Sequence, residues 1–350
     1  MKSEILICSN ERIFNKDTNF FCENLDIKSI PEGLSKNYEV SLIGREGKIS
    51  GKHSINGVKI LSSNNFFSYL KNIFYHNKSN PKLVNFIISV TPYTFLASIL
   101  IFLMRKKSIL YLRSDGYEEY KSIFGYPGVI IYHLMFSIIS FTSSLISCRK
   151  HILKKKQGVI VEPSQLTPKW FNNLNDYNSS EINLLYVGRI KIEKGIFSLL
   201  NILKEIKNID LNLTVISSKE NFHKINKYEK LILLENQNED DLIRSYDGCK
   251  VFILPSFTEG HPQVLDEALA RNRPVIVFSE IKHVTRDRVG VYVCQRNPKA
   301  LEEKIKYIQD NYNKIQNELR LNNKKLPSKE NFLSQLQKII NEHMERWPSG

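Results

Sequence analysis

Short runs of β-branched and aromatic residues alternate along the chain with longer segments whose apolar positions recur every three or four residues. The alternation predicts strands over 4–8, 40–43, 83–90, 108–113 and 158–161, and a second set over 183–187, 212–216, 230–234, 251–254 and 275–278. Strands separated by helices imply parallel sheets covered on both faces, an α/β class. Between the two sets, residues 167–181 (TPKWFNNLNDYNSSE) are polar and rich in Asn and Ser, and read as an interdomain connection. The expected organisation is a first domain over 1–166, a linker over 167–181, a second domain over 182–327 and a C-terminal segment over 328–350. In that last segment Phe332, Leu333, Leu336, Ile339, Ile340 and Met344 are spaced for an amphipathic helix.

Two stretches, 83–104 and 129–148, are long enough to cross a bilayer and carry no Asp, Glu, Lys or Arg. In the first, Thr91-Pro92 separates a β-rich run from a run of helix formers, so buried strand, turn and helix is the better reading. In the second, His133, Ser137, Ser140, Thr142, Ser143 and Ser144 dilute the hydrophobicity, and the β-rich end suggests helix then strand. Cations follow each stretch directly: Arg105-Lys106-Lys107 after one, and Arg149-Lys150 through Lys154-Lys155-Lys156 after the other. They offset helix dipoles in solvent, or they meet the anionic inner leaflet of a membrane on which the apolar helices lie.

Composition narrows the class further. With 350 residues, 42% hydrophobic and 25% charged, the chain is not collagen-like, low-complexity or wholly disordered. The formal charge of +14 is uneven: residues 1–165 hold 22 Lys and Arg against 12 Asp and Glu (+10), the remainder 28 against 24 (+4). A basic first half attracts nucleic acid, anionic lipid or a phosphorylated substrate alike. No RNA-binding pattern of interleaved aromatics is present, so nucleic acid is not the expected partner. The five cysteines are far apart with no Cys-x-x-Cys pair, which predicts reduced thiols, a cytoplasmic setting and no structural metal site. The start, MKSEILICSN, reads as a first strand and not as a signal peptide.

Two turns carry candidate chemistry. After the strand NLLYV comes GRIKIEKG and then a helix with Ile196, Leu199, Leu200, Leu203 and Ile206 on one face. A turn at the carboxyl end of a strand that opens a helix is where α/β sheets bind anions. Gly188 lets a ligand approach the backbone, and Arg189 and Lys194 supply two cations for a diphosphate. A solvated basic loop explains the same residues, and neither a dinucleotide fingerprint nor a P-loop is present. The second turn follows KVFILPS and reads FTEGHPQVLDEALARNRPVIVF. Gly260 permits a sharp bend and Pro262 fits the first helical turn. At about 100° per residue, Val264, Leu265, Ala268 and Leu269 face the core, and Gln263 and Glu267 share another side, so Glu267 is expected to point outward. Glu259 and Glu267 then meet one strand-end crevice, although acidic groups near a helix start also serve as ordinary caps.

Pro255-Ser256, Glu259-Gly260-x-Pro262, Glu267-Ala268-Leu269-Ala270 and Pro274-Val275-Ile276 together resemble the Glu-x7-Glu signature of the family 4 retaining glycosyltransferases. Val187-Gly188-Arg189 with Lys194-Gly195 stands at the matching upstream position, and the likeness covers roughly 183–308. The resemblance implies a GT-B fold, two Rossmann-like doubly wound domains facing a central cleft. It implies that the second domain binds a nucleotide-sugar donor and the first an acceptor, with the last helix crossing back to the first. By motif position Arg189 and Lys194 would neutralise the departing diphosphate, Glu259 would face the donor sugar, and Glu267 would bind ribose hydroxyls. The backbone around Gly260, His261, Pro262, Gln263 and Val264 would line sugar and phosphate, its free amides facing them, without a metal or a cofactor, since the nucleotide-sugar is itself a substrate.

The sequence departs from the family at His261, at Arg271-Asn272-Arg273 before Pro274, and in the lack of a Gly-rich loop after the first strand. In the first domain Arg113-Ser114-Asp115-Gly116 is the richest strand end. Asp115 is a candidate for the acceptor proton, and an Asp-Gly turn explains it equally. The expected function is sugar transfer to a glycan acceptor such as lipopolysaccharide, O-antigen or capsule, lipid-linked and made at the inner face of the membrane. The alternatives are a nucleotide-sugar epimerase of the same architecture and a non-catalytic binding protein.

Overall fold

A computed structural model of the protein describes residues 2–47, 53–177, 179, 181–225, 228–235, 238–323 and 325–345. It divides into two units, Met1–Pro163 with Glu330–Gly350, and Ser164–Lys329.

The first unit runs β1 (Glu4–Lys16), β2 (Asn19–Cys22), α1 (Leu25–Ser35), β3 (Glu39–Glu46), β4 (His53–Ile55), β5 (Lys59–Ser63), α2 (Phe66–Ser79), β6 (Val84–Ile88), α3 (Pro92–Leu103), β7 (Ser108–Leu112), α4 (Gly116–Thr142), β8 (Ser143–Ser147) and β9 (Val159–Ile160). Parallel strands stand in the order β5-β3-β1-β6-β7-β8-β9, and the far end of β1 continues antiparallel into β2 and β4. Both charge-free stretches resolve into strand and helix elements of the first unit. The first is β6, a turn and α3, which opens on a Thr91–Thr94 capping box with Pro92 behind it. The second is the end of α4 followed by β8. On one sheet face lie Ile27, Ile30 and Leu34 of α1 with Phe332, Leu336 and Ile340 of the C-terminal helix, Lys329–Glu345. The other face is covered by α2, α3 and α4 through Tyr69, Ile73, Ile101, Tyr132, Phe136 and Ile139. At Gly125 (φ 66°, ψ −153°) the backbone leaves helical geometry and kinks α4.

The second unit contains β10 (Ile182–Val187), α5 (Ile196–Glu205), β11 (Leu211–Ser217), β12 (Leu231–Glu235), α6 (Glu239–Asp247), β13 (Val251–Leu254), α7 (Gln263–Ala270), β14 (Val275–Phe278), β15 (Val291–Cys294), α8 (Pro298–Asp310) and α9 (Tyr312–Asn323); the C-terminal helix is α10. Its six strands are all parallel, in the order β12-β11-β10-β13-β14-β15. Chain order reverses between β10 and β13, the topological position at whose carboxyl ends α/β sheets bind ligands.

The stretch read as the interdomain connection lies, in its described residues, within the second unit and packs on it. Trp170 is buried in its core. The Arg271 guanidinium donates to the carbonyls of Trp170 (3.2 Å), Asn172 (2.7 Å) and Asn173 (2.9 Å), and Arg273 donates to that of Asn175 (2.8 Å). Both arginines are fully enclosed and pair with Asp247. Polar composition hid this, because the backbone carbonyls of the segment, and not its side chains, satisfy the buried charges. Residues 178 and 180 lie outside the described residues. All five cysteines are unpaired and buried.

Candidate functional site

Turns from β10 and β13, the strands flanking the reversal, come into direct contact. Gly195 adopts φ +70°, and a Cβ there would fall 1.8 Å from the Pro255 carbonyl oxygen, so only glycine lets the chains pass. Beside it the Phe257 amide donates to the Glu193 carbonyl at 3.0 Å. This close approach brings Lys194 Nζ to 2.6 Å from Glu259 Oε1. The same oxygen accepts from the buried Ser256 hydroxyl at 2.6 Å, and His283 Nε2 lies 2.7 Å from the Glu259 carbonyl oxygen. Glu259 is thereby fixed in side chain and backbone.

The upstream half of the first turn is held by Tyr186, whose hydroxyl donates to the Arg189 carbonyl at 2.7 Å. The Gly188 amide donates to Ile216 at 3.1 Å, and a Cβ at Gly188 would press on the Tyr186 hydroxyl at 2.9 Å. The Arg189 side chain is exposed, available to an anion. At Gly260 an added Cβ meets nothing within 4 Å, so open space faces the backbone there. Pro262 is the N-cap of α7 and not its first helical residue (φ −75°, ψ 102°), with Gln263 and Val264 opening the helix.

Glu267 does not point freely outward, contrary to the helical-wheel expectation. It lines a narrow crevice with Ser164, Gln165, Leu166, Gln263 and Asp266, and its Oε2 accepts from the Tyr246 hydroxyl at 2.8 Å. Burial pushes its carboxyl up to about 7, an effect the Tyr246 hydrogen bond only partly offsets. The wheel failed because the segment beginning at Ser164 covers that side of the eight-residue helix. His261 Nε2 lies 3.3 Å from Asp266 Oδ2, and Arg286 Nη2 donates to His261 Nδ1 at 3.3 Å. Arg288 grips Asp266 with two nitrogens at 2.8 and 3.0 Å. Burial works against the Asp266 charge, yet the hydrogen bonds from His261 and Arg288 prevail and hold its carboxyl below the usual range.

Asp115 belongs to the other unit, where it is the N-cap of α4. One carboxylate oxygen accepts from the Tyr117 amide at 3.0 Å and the other pairs with Lys154 Nζ at 2.9 Å. Both oxygens are therefore engaged in structure. Ser256 stood in the motif phrase without a role of its own, and the sequence did not single out His283, Asp266, Arg288, Tyr186 or Tyr246. Their only signal is proximity to the two motifs, since serine, tyrosine and arginine in such numbers carry no spacing of their own. Among the described residues no three His, Cys, Asp or Glu side chains cluster as a metal site would require.

Residues 170–326 match the family described as Glycosyl transferases group 1. Over 156 residues the chain is 33% identical to the capsular polysaccharide biosynthesis glycosyltransferase CapM of Staphylococcus aureus, covering 41% of this chain and 40% of that one. The chain thus matches about two fifths of that relative's length. Its structure resembles sucrose-phosphate synthase from Thermosynechococcus elongatus (TM-score 0.72, 14% identity, 99% of this chain and 100% of that one). It also resembles HepE of Anabaena in complex with UDP-glucose (TM-score 0.67, 12% identity, 98% and 100%). At such identities the likeness shows the fold, and the fold is GT-B: two Rossmann-like doubly wound domains.

Proposed function

We propose that the protein is a retaining glycosyltransferase that moves a sugar from a nucleotide-sugar donor to a hydroxyl of a lipid-linked surface glycan at the cytoplasmic face of the membrane. The observation that carries the reading is the Lys194–Glu259 contact at 2.6 Å, made by the two turns that flank the strand-order reversal. A donor diphosphate settles beside Arg189 and Lys194, where fixed cations stabilise charge that builds as the glycosidic bond breaks. Lys194 then exchanges its contact with Glu259 for one with phosphate. The released Glu259 carboxylate, still held by Ser256, accepts from hydroxyls of the donor sugar. Glu267 binds the ribose hydroxyls, and amides from Gly260 to Val264 line the phosphate and sugar.

Retention follows from attack on the face the diphosphate leaves, on an oxocarbenium-like centre. The acceptor proton passes to the departing phosphate oxygen, which grows basic as the bond opens; Asp115 remains a helix cap. Loss of the Lys194 ammonium costs about 3 kcal/mol in the transition state, roughly a hundredfold in rate. No metal is required by this scheme, because side-chain cations do that work. The glycan acceptor is suggested by the likeness to a capsular polysaccharide enzyme.

Thermal melting in the presence of UDP, GDP, CMP or ADP, with and without the attached sugar, tests the reading. One nucleotide should raise the melting temperature of the native protein and leave Lys194→Ala unmoved. Equal stabilisation of that variant would remove the diphosphate from this crevice. Interconversion of the donor in the absence of any acceptor would instead identify an epimerase.

A further inference from the structure

A surface helix of a soluble domain ordinarily buries one apolar stripe and turns polar residues to water. The second part of α4 does not. Its inward side, Gly128, Tyr132, Met135, Phe136 and Ile139, fills the core against the sheet. Its outward side, Tyr126, Ile130, Ile131, Leu134, Ile138 and Phe141, is also apolar and between 47% and 85% exposed. Residues 124–142 include no Asp, Glu, Lys or Arg. Exposed Phe102 and Leu103 of the neighbouring α3, on the same sheet face, widen the ridge.

Cations bracket it. Ser108 and Ser143 share a hydroxyl contact of 2.6 Å, which sets Arg105, Lys106 and Lys107 at the C-terminal end of α4. At its other end Lys154 Nζ lies 5.1 Å from the Tyr117 ring, so the exposed Lys155 and Lys156 adjoin the helix start, where Lys121 approaches the Tyr126 ring at 5.8 Å. Residues 102–157 carry ten Lys and Arg against three acids, Asp115, Glu118 and Glu119.

We propose that this face of α3 and α4 seats on an anionic bilayer surface, its apolar side chains entering the boundary between headgroups and acyl chains and its cations meeting lipid phosphates. Although α4 is long and apolar enough to cross a membrane, spanning would strip Tyr132, Phe136 and Ile139 from the core, so the helix lies in the interface. A second copy of this chain would cover the apolar ridge but set one basic group against another. The surface stands apart from the transferase reading, since nothing in it depends on the nucleotide crevice.

The test is co-sedimentation of the full chain with vesicles of phosphatidylglycerol and phosphatidylcholine, compared with vesicles of phosphatidylcholine alone. The native protein should pellet with the anionic vesicles and largely escape the neutral ones. Replacing Arg105, Lys155 and Lys156 together by Gln should weaken binding roughly a hundredfold, at about fivefold per cation. The combination I130D, L134D and I138D should abolish it with the circular dichroism spectrum unchanged. Should that variant fail to fold, Phe141→Trp still decides the matter: brominated acyl chains should quench the introduced indole. Absence of native protein from the anionic pellet, undiminished binding by the folded triple Asp variant, or an unquenched indole in pelleted protein would each overturn the proposal. So would a concentration-dependent dimer that the Asp substitutions dissolve, since a second copy would then be the occupant.

Discussion

Asp266 and Glu267 are neighbours on α7, and burial acts on both carboxyls, yet they settle on opposite sides of the ordinary range. Arg288 and His261 outweigh burial at Asp266; a single neutral hydroxyl, that of Tyr246, does not at Glu267. The raised Glu267 pKa favours the folded state in its protonated form. Its stabilising contribution is therefore complete below about 4.5 and lost as pH rises through about 7, worth ~3 kcal/mol at most. Melting curves at pH 5 and pH 8 should show the native protein losing stability relative to Glu267→Gln over that interval. Asp266 has the reverse sign: its lowered pKa supports the fold above about 4 and is lost only on acidification. At this scale the sequence exposed the residues whose identity is unusual at a turn: Gly188, Arg189, Lys194, Glu259 and Gly260. It did not expose Tyr186 or Tyr246, whose importance comes from where a tertiary fold carries an ordinary hydroxyl.

The crossing of the β10 and β13 turns depends on one missing side chain. In Gly195→Ala the left-handed backbone alone costs at least ~1 kcal/mol, and the new methyl strikes the Pro255 carbonyl, so the turns must part. Melting temperature should fall, and nucleotide should stabilise the variant far less than the native protein, because Lys194 no longer reaches its position. Elsewhere in the same unit, Arg271→Ala leaves three carbonyls without their donor and takes from Asp247 the closer of its two arginine partners, Arg273 standing at 3.7 Å. A loss of about 3–5 kcal/mol is expected in denaturant titration. Elements were legible where pattern and length agreed: Val251–Leu254 and Val275–Phe278 fall where the apolar runs predict them. The short strands β2, β4 and β5 escaped notice because they sit towards the edge of the sheet. Most of their residues stay partly exposed, and the apolar alternation that marks a buried strand is correspondingly weak.

At the scale of the molecule, the first unit is completed by the last helix. Phe332, Leu336 and Ile340 bury against its sheet, the Tyr38 hydroxyl donates to Asn341 Oδ1 at 2.6 Å, and a Cβ at Gly33 would collide with Leu333. A chain ending before Glu330 uncovers that face at a cost of about 6 kcal/mol, at ~2 kcal/mol for each of these three large side chains. It should aggregate or melt in two steps, with the second unit's transition retained. The rhythm of strands and helices along the sequence announced two parallel sheets, but not that residues 164–177 adhere to the second. Hydrophobic pattern reports which side chains seek burial and is silent about main-chain carbonyls that arginines recruit.

The buried cysteines give this protein an experimental convenience. Burial drives every thiol upward, Cys8, Cys22 and Cys249 to about 12 and Cys148 and Cys294 to about 11, so almost none is thiolate at neutral pH. Maleimide dyes should leave the native chain unmarked for hours and modify all five sites only after denaturation. One cysteine installed at the solvent-facing Phe141 would then accept a fluorophore selectively, with no background to engineer away.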